Sequence, residues 1–108
     1  SSEICKIEKM VLDCLEKSYF YLGEDGFRLS GGERRSPINM NVFETVMCVM
    51  LFLPSEKECS REQVRNAVRK LIDADEFREN IGNHRDSSQR LKWRLEQAER
   101  LGRSFEVC

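Results

Sequence analysis

The sequence predicts an all-α fold, a small bundle of about four main helices with one long glycine-containing loop. Apolar residues recur at three- and four-residue steps along most of the 108 residues, which is the periodicity of amphipathic helices. No stretch alternates apolar and polar residues for long enough to be a good strand. With 40% hydrophobic residues, 34% charged residues and only 2 prolines, the composition is typical of a packed, helix-rich domain.

The first predicted helix runs from Ile4 to Leu22 and ends at Gly23, a residue that favours helix termination. Its apolar arc is broad, so we expect part of it to remain exposed. Further glycines and Pro37 follow before Ile38, which predicts a loop of about fifteen residues. A loop of that length in a small domain is either functional or mobile.

The second predicted helix opens with Asn41 and Glu44 as a capping pair. Nearly all of its faces are apolar, so we expect it to lie in the middle of the bundle until Pro54 ends it. Ser60 and Gln63 form a capping box for the third helix, whose apolar stripe is one-sided with arginines pointing outward.

A short helical turn is predicted around Phe77 and Ile81, followed by a last helix capped by Asp86 or Ser87. The tail after Gly102 is predicted to fray. The apolar side of this helix is expected to comprise Leu91, Leu95, Ala98 and Leu101. We expect residues 1–108 to form a single helical domain, and the start at Ser1 without a methionine suggests the C-terminal fragment of a longer protein.

The net charge of −1 excludes an overall basic field that would draw the chain to nucleic acid or to a membrane. The 5 cysteines are irregularly spaced and form no Cys-x-x-Cys pair, so we expect reduced thiols in a cytoplasmic protein with no metal and no cofactor. The longest apolar stretch, Val42 to Leu53, is far shorter than the ~20 residues of a membrane helix.

Three features could carry chemistry. The string from Leu29 to Arg34, LSGGER, resembles the signature motif of ABC-type ATPases, but the sequence lacks a Walker lysine loop, and we interpret the string as a flexible polar loop. Glu44 is the lone charge at the start of an apolar helix. We expect it to cap the helix and to interact favourably with the helix dipole rather than to take part in catalysis. His84 has no catalytic partner that the sequence places beside it, so it is interpreted as a loop histidine.

The only basic cluster worth naming surrounds Trp93 near the start of the last helix. An aromatic side chain among arginines can stack on a nucleobase or dock a partner domain. The alternative is a solvated helix face whose tryptophan covers a neighbouring helix. The candidate nucleic-acid or partner surface comprises Arg85, Arg90, Lys92, Trp93, Arg94 and Arg100.

Residues 22–28 (LGEDGFR), 38–44 (INMNVFE), 75–78 (DEFR) and 90–95 (RLKWRL) follow one another in an order and spacing that carry a family resemblance. The chain resembles the C-terminal helical region of the large ParB/sulfiredoxin-like family typified by the GmrSD modification-dependent restriction systems. The matching positions are mostly core and capping residues. They are Phe27, Arg28, Asn39, Phe43, Glu44, Phe77 and Arg94.

The resemblance implies a role beside another domain. Family members carry an N-terminal ParB-like domain with a DGQQR-type motif for nucleotide hydrolysis linked to DNA restriction or phage defence, and this motif is missing here. We therefore expect a non-catalytic helical accessory or interaction module whose partner is that ParB-like domain. A DNA-contacting module using the cluster around Trp93 is the alternative. The family has a small Gly/Thr-rich turn where this chain has His84, Arg85 and Asp86.

The matching residues are also assigned physical roles. Phe43 and Phe77 are expected to anchor the core, and Asn39 or Asn41 to start the central helix. Arg28 or Arg94 is expected to pair with Glu44 or to cap a helix C-terminus.

Overall fold

The computed structural model describes residues 2–29, 37–54, 59–81 and 87–105. Within these ranges the chain is helical and has no β-strand, which confirms the predicted all-α bundle with four main helices. The helices are α1 (Ser2–Leu22), α2 (Met40–Phe52), α3 (Arg61–Asp73), α4 (Asp75–Glu79) and α5 (Ser87–Ser104).

Helix α2 lies at the centre of the bundle, as its apolar composition predicts. Helices α1 and α5 pack against it, while α3 packs against α1 and α4. The side chains that α2, α3 and α4 contribute to the core are fully excluded from solvent, which stabilises the fold through burial of apolar area. They are Val42, Val46, Val49, Met50, Val64, Val68, Ile72 and Phe77.

Two of the predicted helix boundaries are confirmed in detail. Gly23 follows α1 with a φ of 74°, a left-handed conformation that glycine adopts without steric cost. The backbone N–H of Gln63 donates to the Ser60 side chain at 3.3 Å, so Ser60 is the N-cap of α3.

The predicted Asn41–Glu44 capping pair is wrong, whereas the alternative start at Asn39 is confirmed. Asn39 is the N-cap, and its Oδ1 accepts from the backbone N–H groups of Asn41 at 2.9 Å and Val42 at 3.2 Å. The helix therefore begins at Met40. This start places Glu44 beyond the first turn, where its carboxylate has no orphan N–H group to cap.

The loop between α1 and α2 begins with a 3₁₀ turn at Gly23–Asp25. Its two ends are held together by an isolated antiparallel bridge between Arg28 and Ile38. Arg69 of α3 reinforces this closure, because its guanidinium donates to the backbone carbonyls of Arg28 at 2.9 Å and Gly26 at 3.2 Å. Residues 30–36, which include most of the LSGGER string, lie outside the described residues.

The short turn predicted around Phe77 is α4, and Phe77 is fully buried. The helix ends with Asn80 as its C-cap, so Ile81 lies just outside it. The expected end of the last helix is wrong: α5 continues past Gly102 to Ser104, and Phe105 is buried.

Gly102 lies within α5 at a close contact with α2. A Cβ at this position would lie 2.7 Å from the carbonyl oxygen of Val49 and 2.7 Å from the Cβ of Phe52. Glycine therefore allows the backbones of α5 and α2 to approach each other closely, and the end of α5 is held in this contact.

The expected apolar side of α5 is only partly correct. Ala98 is fully buried and Leu101 is half-buried, but Leu91 and Leu95 remain exposed at the edge of α2. The inward position between them is taken by Arg94, whose side chain is buried. The helix is thus rotated so that Arg94, Ala98 and Gly102 face the bundle.

We predict that Gly102→Ala destabilises the domain by about 1–3 kcal/mol, since a new methyl group would collide with backbone that cannot rotate away. The gain in helix propensity, about 1 kcal/mol, does not offset this clash. Urea denaturation measures the difference, with the exposed Arg100→Ala as the control in the same helix. A Gly102→Ala protein as stable as the parent would show that the close approach is not a packing constraint.

Candidate functional site

The described members of the basic cluster around Trp93 do not assemble into one exposed surface. Arg94 is only 4% exposed, so its assignment to a binding surface is wrong. Trp93 is half-buried and packs against the core cluster, in agreement with the alternative that it covers a neighbouring helix. Arg90 is also half-buried, and its Nη1 donates to the carbonyl of Ile81 at 3.1 Å.

The remaining members of the cluster are separated from these. The Lys92 side chain is exposed and lies 3.9 Å from the Glu96 carboxylate, a surface ion pair of small energetic value. Arg100 is exposed two turns further along α5. Arg85 and His84 lie outside the described residues. Lys92 and Arg100 are therefore the only described members of the cluster whose charges face solvent.

The residues that carry the family resemblance form internal contacts instead. The rings of Phe27 and Phe43 meet edge to face with centroids 4.9 Å apart, which fastens the loop to the side of α2. Phe77 anchors the core as expected, whereas Phe43 is only half-buried at its margin. Asn39 caps α2, and Arg28 pairs with Asp25 at 3.3 Å.

Arg94 pairs with Glu44, which is one of the two pairings expected for this carboxylate. The Nη2 of Arg94 donates to the Glu44 carboxylate at 3.2 Å, and its Nη1 donates to the carbonyl of Asn80 at 2.5 Å. The guanidinium thus connects α5 to α2 and to the end of α4. Because Arg94 is buried and Glu44 is nearly half exposed, the arginine bears most of the structural role.

We predict that Arg94→Ala destabilises the domain by about 2–4 kcal/mol through lost packing and lost hydrogen bonds. Glu44→Gln should cost about 1 kcal/mol or less, because solvent replaces much of what the exposed carboxylate contributes. Thermal and urea unfolding of the two variants measures this contrast. Equal losses would mean that the ion pair, rather than the buried guanidinium, holds the three elements together.

The first half of α1 forms the main exposed apolar surface that the structure describes. Every residue from Ser2 to Asp13 is exposed, including Ile7 at 56% and Val11 at 42%. Ile7 and Val11 lie on the helix face that is buried further along α1, since they continue the three- and four-residue spacing of its buried residues. The face as a whole comprises Ile4, Ile7, Val11, Cys14, Ser18 and Tyr21, of which the last three are buried.

We call the exposed part of this face together with the adjacent Met10 the α1 apolar stripe, which comprises Ile4, Ile7, Met10 and Val11. Beside it, α1 and α2 enclose an open groove of about 270 Å³ where Met10 and Leu51 provide apolar lining. The charged lining residues are Lys6, Lys9, Asp13 and Lys17, so the groove favours an acidic ligand or partner. The Nζ of Lys17 donates to the carbonyl of Met50 at 3.3 Å near the end of α2.

The sequence predicts exposed apolar residues on α1, and the structure confirms them. Leu51 was not predicted as part of this surface. It belongs to a helix with apolar residues on nearly every face, so its exposure of 46% has no signal in the sequence pattern.

A second open groove lies between α2 and α5. It has a volume of about 490 Å³ and an apolar floor that includes Phe52, Leu91, Leu95 and the Cys48 thiol. Cys48 donates its S–H to the carbonyl of Leu95 at 3.7 Å. Burial raises the pKa of this thiol, and the nearby carboxylate of Glu99 raises it further.

The cysteines that the structure describes are free: Cys5, Cys14, Cys48 and Cys59. Burial raises the pKa of Cys14, an effect that nearby Lys17 partly opposes. Within the described ranges, no group of three Cys, His, Asp or Glu residues could hold a metal ion. No described helix is both long enough and apolar enough to cross a membrane.

Neither a family model, nor a curated protein, nor a solved structure matches the chain.

We predict that alkylation separates the cysteines by burial. Cys5 is exposed and should react with iodoacetamide before the other described cysteines, whereas Cys48 should react slowly at pH 8 because its raised pKa leaves little thiolate. The rate at Cys48 should continue to rise as the pH increases above the ordinary thiol pKa of about 8.5. Peptide mass mapping after timed alkylation measures both rates. Faster modification of Cys48 than of Cys5 at pH 8 would contradict this order.

Proposed function

We propose that this domain is a non-catalytic helical interaction module of a ParB-like NTPase or nuclease protein linked to DNA restriction or phage defence. Its partner is an N-terminal ParB-like domain of the same parent protein, and its docking surface is the α1 apolar stripe. The observation that carries the proposal is that the core-facing side of α1 continues through Ile7 and Val11 with exposed apolar side chains.

The distribution of apolar area supports docking by this surface. Exposed apolar patches on soluble domains commonly mark sites of protein contact. Here Ile7 and Val11 share one helix face with the buried Cys14, so a partner element laid on the stripe would extend the existing core. This arrangement is the helix-on-helix contact by which amphipathic segments recognise each other.

The charged residues of the α1–α2 groove indicate which chemistry the partner surface has. The α1–α2 groove beside the stripe is lined by three lysines and one aspartate. An amphipathic segment with acidic residues along one edge would place them beside Lys6 and Lys9 while its apolar side covers Met10 and Leu51. We therefore propose that the docking face of the ParB-like domain is apolar with an acidic margin.

The family-matching residues support an accessory role. Asn39 accepts hydrogen bonds at a helix start, Arg94 is held by Glu44 and Asn80, and Phe77 is buried. Each matching side chain named here is used in building the bundle. The free cysteines Cys5 and Cys14 fit a reducing, cytoplasmic setting.

The first experiment reads the parent gene upstream of the codon for Ser1. A reading frame that continues through a DGQQR-type motif supports the family and supplies the partner domain for binding measurements. A start codon immediately upstream would remove the ParB-like partner from the proposal.

We predict that Ile7→Glu and Val11→Glu each weaken binding to the ParB-like domain by about tenfold or more, since each buries a charge at a helix contact. Isothermal titration calorimetry between the two separately purified domains measures this change. Both positions are exposed in this domain, so the variants should retain its helical circular dichroism spectrum and its stability within about 0.5 kcal/mol.

Leu12→Glu is the matched control. Leu12 lies on the same helix with 58% exposure, but it points about 100° away from Val11. This variant should bind normally. Equal weakening by all three variants would place the contact elsewhere on α1, and unchanged binding by Ile7→Glu and Val11→Glu would overturn docking by the stripe.

A further inference from the structure

An open pocket lies where the end of α1 meets the start of α3, away from the α1 apolar stripe. Its volume is about 740 Å³, and its lining includes two aromatic residues, Tyr19 and Phe20, and two arginines, Arg61 and Arg65. Glu16 is also part of the lining. The sequence places an aromatic residue among arginines around Trp93, whereas the fold creates this second combination from two separate helices.

The two aromatic rings have different environments. Tyr19 is 66% exposed, so one face of its ring is open to a ligand. Phe20 is held from two sides: its ring meets Tyr21 edge to face at 4.9 Å, and the Arg61 guanidinium lies over it at 3.8 Å. Stacking on the ring holds the guanidinium in one orientation. Its N–H donors lie at the edge of the guanidinium plane, where they can still form hydrogen bonds.

The pocket also has the charge needed for an anion. Arg61 is the first residue of α3, where the aligned peptide dipoles favour negative charge. The Nε of Arg65 donates to the carbonyl of Tyr21 at 3.1 Å, which fixes this second guanidinium beside the end of α1. Two arginines against the single carboxylate of Glu16 give the lining a net positive charge.

We infer that this pocket binds a nucleotide, with the base stacked on Tyr19 and the phosphate bound by Arg61 and Arg65. Stacking surfaces beside cationic donors are the combination by which proteins hold single nucleotides and unpaired strands. Neither element alone suffices, because an exposed tyrosine is common and surface arginines attract any anion. The inference goes beyond the proposed docking function and uses a different part of α1.

Two ligands carry this combination of a base and a phosphate: a free nucleotide and a nucleotide within a single strand. The experiment titrates the whole domain at low salt with AMP and with an eight-residue oligothymidylate, using calorimetry and the NMR signals of the aromatic rings. AMP binding comparable to that of the oligonucleotide indicates a free nucleotide. Binding of the oligonucleotide that is at least tenfold tighter and falls steeply with salt indicates a single strand. Either result supports the site.

Fragments of the ligand separate the two parts of the pocket. Adenosine lacks the phosphate and ribose 5-phosphate lacks the base, so each should bind about tenfold or more weakly than AMP. If ribose 5-phosphate binds as tightly as AMP, the pocket is a simple anion site and the inference fails. Binding of a phosphotyrosine peptide without binding of either nucleotide ligand would also overturn it.

Variants test the assigned residues. Tyr19→Ala and Arg61→Ala should each weaken nucleotide binding by about tenfold, while Tyr19→Phe keeps the stacking face and should bind as the parent does. Lys70→Ala removes an exposed positive charge from α3 outside the pocket lining and serves as the control. Circular dichroism verifies that the variants remain folded. No binding by the parent domain, or equal binding by Tyr19→Ala, contradicts the site.

Discussion

The buried guanidinium of Arg94 is the interaction on which the arrangement of α2, α4 and α5 depends. Taking a positive charge out of water is costly unless hydrogen bonds replace its hydration. Glu44 supplies a carboxylate from α2, and the carbonyl of Asn80 supplies an acceptor at the end of α4. Both acceptors must be in place at once, so the charge specifies how the three elements meet.

The position of Arg94 also determines what α5 leaves exposed. With Arg94, Ala98 and Gly102 turned inward, Leu91 and Leu95 lie at the edge and line the groove above α2. Gly102 contacts α2 near one end of α5, and Arg94 forms its hydrogen bonds nearer the other end. A rotation of α5 that buried the two leucines would therefore break the Gly102 contact or the Arg94 hydrogen bonds. The exposed leucines are therefore a consequence of specificity in helix packing.

Local signals predict much of the fold. Ser60 with Gln63, the stop at Gly23 and the burial of Phe77 each follow from a few neighbouring residues, and the structure confirms all three. The errors have a different origin. Asn39 and Asn41 are equally good caps by residue type, and only the Asn39 side chain reaches the first free N–H groups.

Burial of Arg94 and the contact at Gly102 depend on residues from α2, α4 and α5 that lie far apart in sequence. Periodicity assigns an arginine to the polar side of a helix and interprets a glycine near the end as a terminator. Neither rule includes the neighbouring helix. The same limitation applies to the candidate sites, because Leu51 and Met10, or Tyr19 and Arg61, become neighbours only in the folded bundle.

Helix α1 carries the two proposed binding surfaces in separate parts of one continuous helix. Its first half presents Ile7 and Val11 with lysines beside them, which suits a partner with an apolar face and acidic margin. Its end presents Tyr19 near the arginines of α3, which suits a flat, anionic ligand. The buried stretch between them packs against α2 and α3, so a ligand at one end could influence docking at the other by shifting α1 relative to these helices.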